Sequence, residues 1–387
     1  MKLLICTQKV DKNDDLLGFF HAWIAEFAQN CEGVTVVCLF RGEVDLPENV
    51  RVLSLGKESG DFRFSIFDFR FILKFKYLIN FFKYIWQERK NYDTVFVHMN
   101  SIYVLLGGLF WKAWGKKIGL WYAHGHAPWQ LLVAEKMVDV VFTSTASGCR
   151  LKSGKIRIVG QGIDVGNFRF PISDFRFREI QKSKIENPKS PVWTSGPLRD
   201  RKSKISLITV GRISPVKNLE TLINAVELLV KKGIDVKLDI VGAIGLVEQK
   251  AYYDFLSKMI NEKGLAKNIQ FVGSVPNKDI VEYLQAADIF VSASQTGSLD
   301  KTFLEAMACG LPVIGCNVAL DAVLGEYKDR LFYSAGDYLA LSDKIENVLG
   351  LSEAEYAKMA EDLRGVVVRE HGLGEFVKKI LKISNTQ

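Results

Sequence analysis

One stretch, Asp288 to Asn317, confines the chain to a narrow set of folds. Asp288-Ile-Phe-Val-Ser292 is a short β-branched and aromatic run, the mark of a buried strand. Ser294-Gln-Thr-Gly-Ser-Leu-Asp300 follows as a glycine-bearing loop. Thr302 to Cys309 then reads as a helix, stopped by Gly310 and Pro312, and Val313-Ile-Gly315 opens another strand. A loop that leaves the carboxyl end of a strand and delivers a helix N-terminus collects backbone N–H groups and the positive end of a helix dipole. That combination suits a phosphate. Glu305 reads as a first-turn residue of this helix, among the apolar Phe303, Leu304, Ala306 and Met307. A carboxylate there is either dipole-stabilised structure or an acceptor for sugar hydroxyls.

The rest of the chain repeats this alternation. Strands are expected at Lys2–Thr7, Val34–Phe40, Thr94–His98, Ile118–Ala123, Val138–Thr143 and Ile156–Val159, with a helix from Leu16 to Gln29. After residue 204 come strands at Ile205–Gly211, Val236–Gly242 and Ile269–Val272. Helices are expected at Asn218–Lys232, Tyr252–Lys263 and Asp279–Ala287, and Ser352-Glu-Ala-Glu355 is a capping box that starts another. Strands alternating with helices predict parallel sheets covered on both faces. With 387 residues the chain has room for two such domains. The expected division is residues 1–168, a basic, proline-containing excursion at 169–204, a second domain at 205–370, and a helix and tail at 371–387. Four of the nine prolines fall in the excursion, which marks it as a linker.

Ligands in parallel sheets bind at the carboxyl ends of strands. In the second half, Gly211-Arg-Ile-Ser-Pro-Val-Lys217-Asn218 occupies such an end and opens a helix. Arg212 and Lys217, two cations added to helix N–H groups, suit a diphosphate. In the first half His98 and His124 stand at strand ends, with His126 two residues beyond.

The pattern Leu304-Glu-Ala-Met-Ala-Cys-Gly-Leu-Pro-Val-Ile314 resembles the donor-site signature of glycosyltransferase family 4, within the GT-B group that also includes glycogen phosphorylase. The resemblance implies two doubly wound Rossmann-like domains facing a cleft, with the last helix crossing back to the first domain. It implies a retaining glycosyltransferase that moves a sugar from a nucleotide-diphosphate sugar to a glycan or lipid-linked acceptor. In the family, an Arg and a Lys at the positions of Arg212 and Lys217 hold the donor diphosphate. A loop matching the one at Val275 contacts the base, the glutamate at Glu305 binds the ribose, and a His near the donor sugar corresponds to His124, with His98 and His126 as alternatives. The resemblance extends the donor site over Gly211 and over Gly297, Ser298, Leu299, Asp300, Lys301 and Thr302. Gln161-Gly-Ile-Asp164 with Phe168 resembles a structural segment that closes the first domain. One departure stands out. The family's first signature glutamate falls on Gly297 here, and Asp300, in the same loop, is the residue able to supply a carboxylate. The loss leaves room for a sugar-nucleotide epimerase or hydrolase, or for a non-catalytic nucleotide-sugar-binding protein.

Composition excludes other classes. The six cysteines form no CxxC pair, so no zinc site or disulfide framework is indicated, and a reducing cytoplasm fits. No Asp-x-Asp stands at a strand end, so no metal is expected, and no cofactor beyond the donor. The net charge of +7 is modest for the length and does not demand nucleic acid. Residues 61–90 crowd Phe, Tyr and Trp among Arg63, Arg70, Lys74, Lys76, Lys83, Arg89 and Lys90. Residues 71–88 are expected to form an amphipathic helix. It either faces the core with its lysines reaching outward or lies on an anionic membrane as a peripheral contact. Asp61–Phe71 recurs as Asn167–Phe177, a repeat with no evident physical reason.

Overall fold

The computed structural model describes residues 1–59, 69–168, 204–245, 249–295 and 297–386. The expected excursion, apart from Lys204, and most of both copies of the repeat lie outside the described residues. The chain divides into two units: Met1–Asp164 with Pro276–Lys278 and Glu370–Gln387, and Val165–Val275 with Asp279–Arg369.

The first unit contains β1 (Lys2–Val10), α1 (Phe19–Gln29), β2 (Gly33–Arg41), β3 (Val50–Ser54), α2 (Phe69–Gln87), β4 (Thr94–His98), α3 (Ile102–Ala113), β5 (Lys117–Trp121), α4 (Trp129–Met137), β6 (Val140–Thr143) and β7 (Ile156–Ile158). All pairings are parallel, in the order β3-β2-β1-β4-β5-β6-β7. Every residue of β4 and of β6 is buried, as the continuous apolar runs predict for strands covered on both faces. One face packs on α1, where Phe20, Trp23 and Phe27 are fully buried. The other packs on α2, α3 and α4 through Phe81, Trp111 and Leu131. Helix α1 starts three residues later than expected, because the Asp14 side chain first accepts the amides of Leu16 and Leu17 and holds them in a turn.

The second unit contains β8 (Ile205–Val210), α5 (Leu219–Lys231), β9 (Val236–Val241), α6 (Lys250–Glu262), β10 (Ile269–Gly273), α7 (Ile280–Ala286), β11 (Ile289–Ser292), α8 (Lys301–Ala308), β12 (Val313–Gly315), α9 (Asp321–Leu324), α10 (Lys328–Leu331), α11 (Tyr338–Leu349) and α12 (Glu353–Val366). Its parallel sheet has the order β10-β9-β8-β11-β12. The capping box at α12 forms as expected, with the Ser352 side chain accepting the Glu355 amide and the Glu355 carboxylate accepting the Ser352 amide.

The final helix, α13 (Leu373–Thr386), belongs to the first unit. Phe376 packs on Trp23 with ring centroids 4.2 Å apart, and Ile163 exchanges backbone hydrogen bonds with the turn before α13. Gly162, at φ +61°, lets the backbone pass this aromatic pair, since a Cβ there would come within 2.9 Å of both rings. Gly162 and Ile163 of the Gln161–Asp164 segment thus serve to pack α13 onto the first unit.

Candidate functional site

Strand order places the candidate site. In the second sheet, connections run outward to one side from β8 and to the other from β11, so a crevice opens between the carboxyl ends of those two neighbours. The two loops leaving that point are Gly211–Asn218 and Ala293–Asp300, the two stretches singled out from sequence.

The first loop is shaped by close backbone approach. Gly211 donates its amide to Val241 O at 2.9 Å. Gly242 lies so near that a Cβ on it would sit 2.0 Å from Gly211 O. The chain then makes a 3-10 turn over Pro215–Lys217, which ends at Asn218 in the left-handed conformation (φ +46°), a geometry asparagine tolerates better than most residues. That turn directs the Lys217 stem back beneath Gly211, where a Cβ would meet Lys217 Cε at 3.1 Å.

Lys217 reaches across to the second loop. Its Nζ donates to Asp300 Oδ2 at 2.7 Å and to Ser294 Oγ at 3.4 Å. Both members of the ion pair are largely shielded, with side-chain exposures of 18% and 16%. Arg212, by contrast, is exposed, lies against Gly245, and has no carboxylate partner among the described residues. The two cations thus occupy different states, one held and one available.

The second loop delivers α8, with Asp300 as its N-cap residue and Lys301 and Thr302 half-buried in the first turn. Leu299 is buried and anchors the loop, while Ser298 accepts a hydrogen bond from Asn317 Nδ2 at 2.7 Å. Gly297 has φ +72°, a left-handed conformation that a glutamate would adopt only with strain. Glu305 is 2% exposed and lies in the middle of α8. Its first-turn placement is corrected, because the helix begins at Lys301, one residue earlier than the apolar run suggests. Val275 is buried in the loop beyond β10, two strands from the crevice.

Three supporting residues escaped the sequence reading. Ser294 is fully buried and touches Lys217. Asn317 ties the end of β12 to the Ser298 carbonyl and also accepts the Ala319 amide. Tyr252 on α6 accepts the Leu219 amide at 2.9 Å and donates to the Glu220 carboxylate, which fixes the start of α5 directly after Lys217. Burial and then that carboxylate raise the Tyr252 pKa, so the phenol keeps its proton. Only the Ser-Ala-Ser run after β11 offered a signal for any of these.

In the first unit the histidines separate. His98 is buried: it stacks on Phe20 (4.1 Å between centroids) and on Trp121, and its Nδ1 lies 3.2 Å from Thr7 Oγ1. The strand-end alternative His98 is therefore buried among aromatic side chains. His124 and His126 are exposed in the loop after β5. His124 Nδ1 accepts the His126 amide at 3.0 Å, which places the proton of a neutral imidazole on Nε2. Tyr122 pins this loop by donating to His126 O at 2.7 Å. Among the described residues no cluster of three or more His, Cys, Asp or Glu could hold a metal ion.

Residues 196–365 match the family model described as glycosyl transferases group 1. The chain is 30% identical over 154 residues to the D-inositol 3-phosphate glycosyltransferase of Corynebacterium glutamicum, covering 40% of this chain and 37% of that one. It is 29% identical over 192 residues to the alpha-monoglucosyldiacylglycerol synthase of Acholeplasma laidlawii, covering 49% of this chain and 44% of that one. These matches span less than half the length of either relative. Anabaena Alr3699/HepE, solved in complex with UDP, superimposes over the full length of both chains with a TM-score of 0.72 at 15% identity. Sucrose-phosphate synthase from Thermosynechococcus elongatus does so over 100% of this chain and 99% of that one, with a TM-score of 0.73 at 16% identity. At that identity the likeness establishes the fold: two Rossmann-like α/β sheets of the GT-B class.

Proposed function

We propose that the chain is a retaining, family 4-like glycosyltransferase that takes a nucleotide-diphosphate sugar and passes the sugar to a glycan or lipid-linked acceptor. The observation that carries this reading is the Lys217–Asp300 bridge across the β8/β11 crevice, inside the segment that matches the family model. Arg212 and Lys217 bind the diphosphate and offset the charge that builds on it as the glycosidic bond breaks. This is stabilisation by groups already in place, without a divalent ion. The N-terminus of α8 adds its dipole. Glu305 accepts the ribose hydroxyls, the Val275 loop meets the base, and His124 presents Nε2–H to the donor sugar. Asp300 orients Lys217 and supplies the carboxylate that Gly297 lacks. The HepE structures hold UDP and UDP-glucose, which makes uridine diphosphate the first nucleotide to test. The six free cysteines suit a reducing cytoplasm.

A second reading rests on Gly297. Glycine stands there in place of the family's first glutamate, in a left-handed conformation that glutamate would adopt only with strain. A site so altered suits a nucleotide-sugar-binding protein, or an epimerase or hydrolase. Incubation with radiolabelled UDP-sugars, with and without glycan and lipid acceptors, separates the readings. Label appearing in acceptor supports transfer; UDP release without transfer supports hydrolysis; epimerised sugar supports epimerisation; binding without turnover supports the binding protein.

A further inference from the structure

A helix that packs on a sheet buries one apolar stripe and turns a polar face outward. The α2–α3–α4 layer of the first unit departs from that rule. Its inner side is the expected core, with Phe81, Ile85, Trp111 and Leu131 buried. Its outer side is also apolar. Phe75, Ile79 and Trp86 lie exposed along α2, Leu109 on α3 is 71% exposed, and on α4 Trp129 is 64% exposed and Leu132 52%.

These stripes are joined. Phe82 meets Phe110 edge-on at 5.5 Å and Trp86 meets Trp114 at 5.7 Å, which ties α2 to α3. Lys112 on α3 donates to Lys136 O at the end of α4. Singly exposed apolar residues need no explanation, but exposed apolar side chains gathered on three adjoining helices mark a contact surface.

Charge identifies the partner. Lys76, Lys83, Lys112 and Lys136 lie exposed on the three helices, which hold one described acid, Glu135, with Glu58 beside Lys76 as the other facing charge. Glu135 is already engaged by Ser153 and Lys155. Lysine is depleted from protein–protein interface cores, whereas aromatic and basic residues together suit the headgroup region of an anionic bilayer. No helix among the described residues is long and apolar enough to cross a membrane, so such a surface would lie on the bilayer.

We propose that the outer face of α2, α3 and α4 docks the first unit on an anionic lipid surface, with Trp86, Leu109 and Trp129 among the headgroups and Lys76, Lys83, Lys112 and Lys136 on lipid phosphates. Trp129 opens α4 at the carboxyl edge of the sheet, directly after the loop that bears His124 and His126. The docked surface therefore adjoins the edge at which those histidines stand. The proposal concerns the first unit alone and does not depend on the donor chemistry of the second.

Co-sedimentation of the intact chain with phosphatidylcholine vesicles, with and without phosphatidylglycerol, tests it. Binding is expected only to the anionic vesicles and is weakened by salt. Lys76→Gln with Lys83→Gln should lower the partition coefficient roughly thirtyfold, each basic residue being worth about fivefold at such a surface. The pair Lys258→Gln with Lys267→Gln, exposed on the second unit, should leave it unchanged. Trp129→Ser should also weaken binding, and Trp129→Phe should remove much of the blue shift in tryptophan emission on vesicle addition. Matching melting temperatures show that the variants fold. Absence of binding to anionic vesicles at low salt, equal binding to neutral ones, or a solution dimer that Leu109→Ser dissociates would each overturn the proposal. A UDP titration of the same samples reports on the donor site separately.

Discussion

Replacing Lys217 by alanine probes the crevice most deeply, because this ammonium serves two partners. It holds Asp300 at 2.7 Å, with both side chains more than four-fifths shielded. On the proposed reading it also faces the diphosphate once a donor binds. The lost charge-assisted contact costs about 1.5–3 kcal/mol of nucleotide affinity, roughly a 10- to 150-fold rise in Kd. The same substitution leaves the Asp300 carboxylate without that cation, beside an incoming anion, which adds to the loss. Asp300→Asn alone should change nucleotide affinity little while lowering turnover. In the Lys217→Ala background it should recover part of the affinity by removing the stranded charge. Calorimetric titration of the four proteins with UDP gives the coupling energy, expected at about 1 kcal/mol or more for groups in direct contact. Additivity of the two substitutions within about 0.3 kcal/mol, or unchanged affinity in Lys217→Ala, would refute the bridge as a donor-site element.

Other consequences follow from neighbouring geometry. Gly242→Ala puts a methyl 2.0 Å from Gly211 O, so the two loops must part. Stability should fall by about 1–3 kcal/mol in urea melts and UDP affinity should fall with it; an unperturbed protein would show that the close approach is not needed. Burial works to raise the Asp14 pKa, but hydrogen bonds from Lys9 and from the Leu17 and Leu16 amides outweigh it and hold the carboxyl below its ordinary value. Its stabilisation is therefore complete above the unfolded pKa of about 4 and is lost as pH falls through the lower folded value. Asp14→Asn should cost stability at pH 7 and progressively less in acid, and a gap independent of pH would contradict this. Burial also pushes the Cys31 thiol up to about 11 and Cys38 up to about 12. Iodoacetamide at neutral pH should label the native thiols slowly and all six after unfolding, as mass spectrometry would show; rapid native labelling of Cys38 would oppose that burial.

The legible parts of the fold were those where one physical signal dominated. Val34–Phe40 and Asp288–Ser292 are continuous β-branched or aromatic runs and became buried parallel strands. Strand β3 escaped because it is an edge strand, only half-buried, with an arginine at its second position. Helix α3 escaped because Gly107 and Gly108 interrupt its helix-forming run. In the structure they admit close packing, Gly107 beside the Trp111 indole and Gly108 beside Met137. The two loops at the β8/β11 crevice were legible as candidates because glycine, arginine and lysine at a strand end have few purposes. The partners of those residues were not. Nothing in sequence pairs Lys217 with a carboxylate 83 residues away, or places Asn317 beneath Ser298. The surroundings of His98 were hidden in the same way: its place at a strand end gives no sign of the aromatic stack around it.

On the proposed reading, the second unit grips a nucleoside diphosphate with cations at the β8/β11 crevice. Arg212, exposed and without an acidic partner among the described residues, gives its cleanest test. Calorimetric titration of the wild type and of Arg212→Ala with UDP, GDP and the corresponding monophosphates compares the grip on the second phosphate directly. A diphosphate should bind the wild type more tightly than its monophosphate, and Arg212→Ala should remove most of that difference while melting at the wild-type temperature. Wild-type protein that binds neither diphosphate, or Arg212→Ala that keeps the full preference for diphosphate, would contradict it.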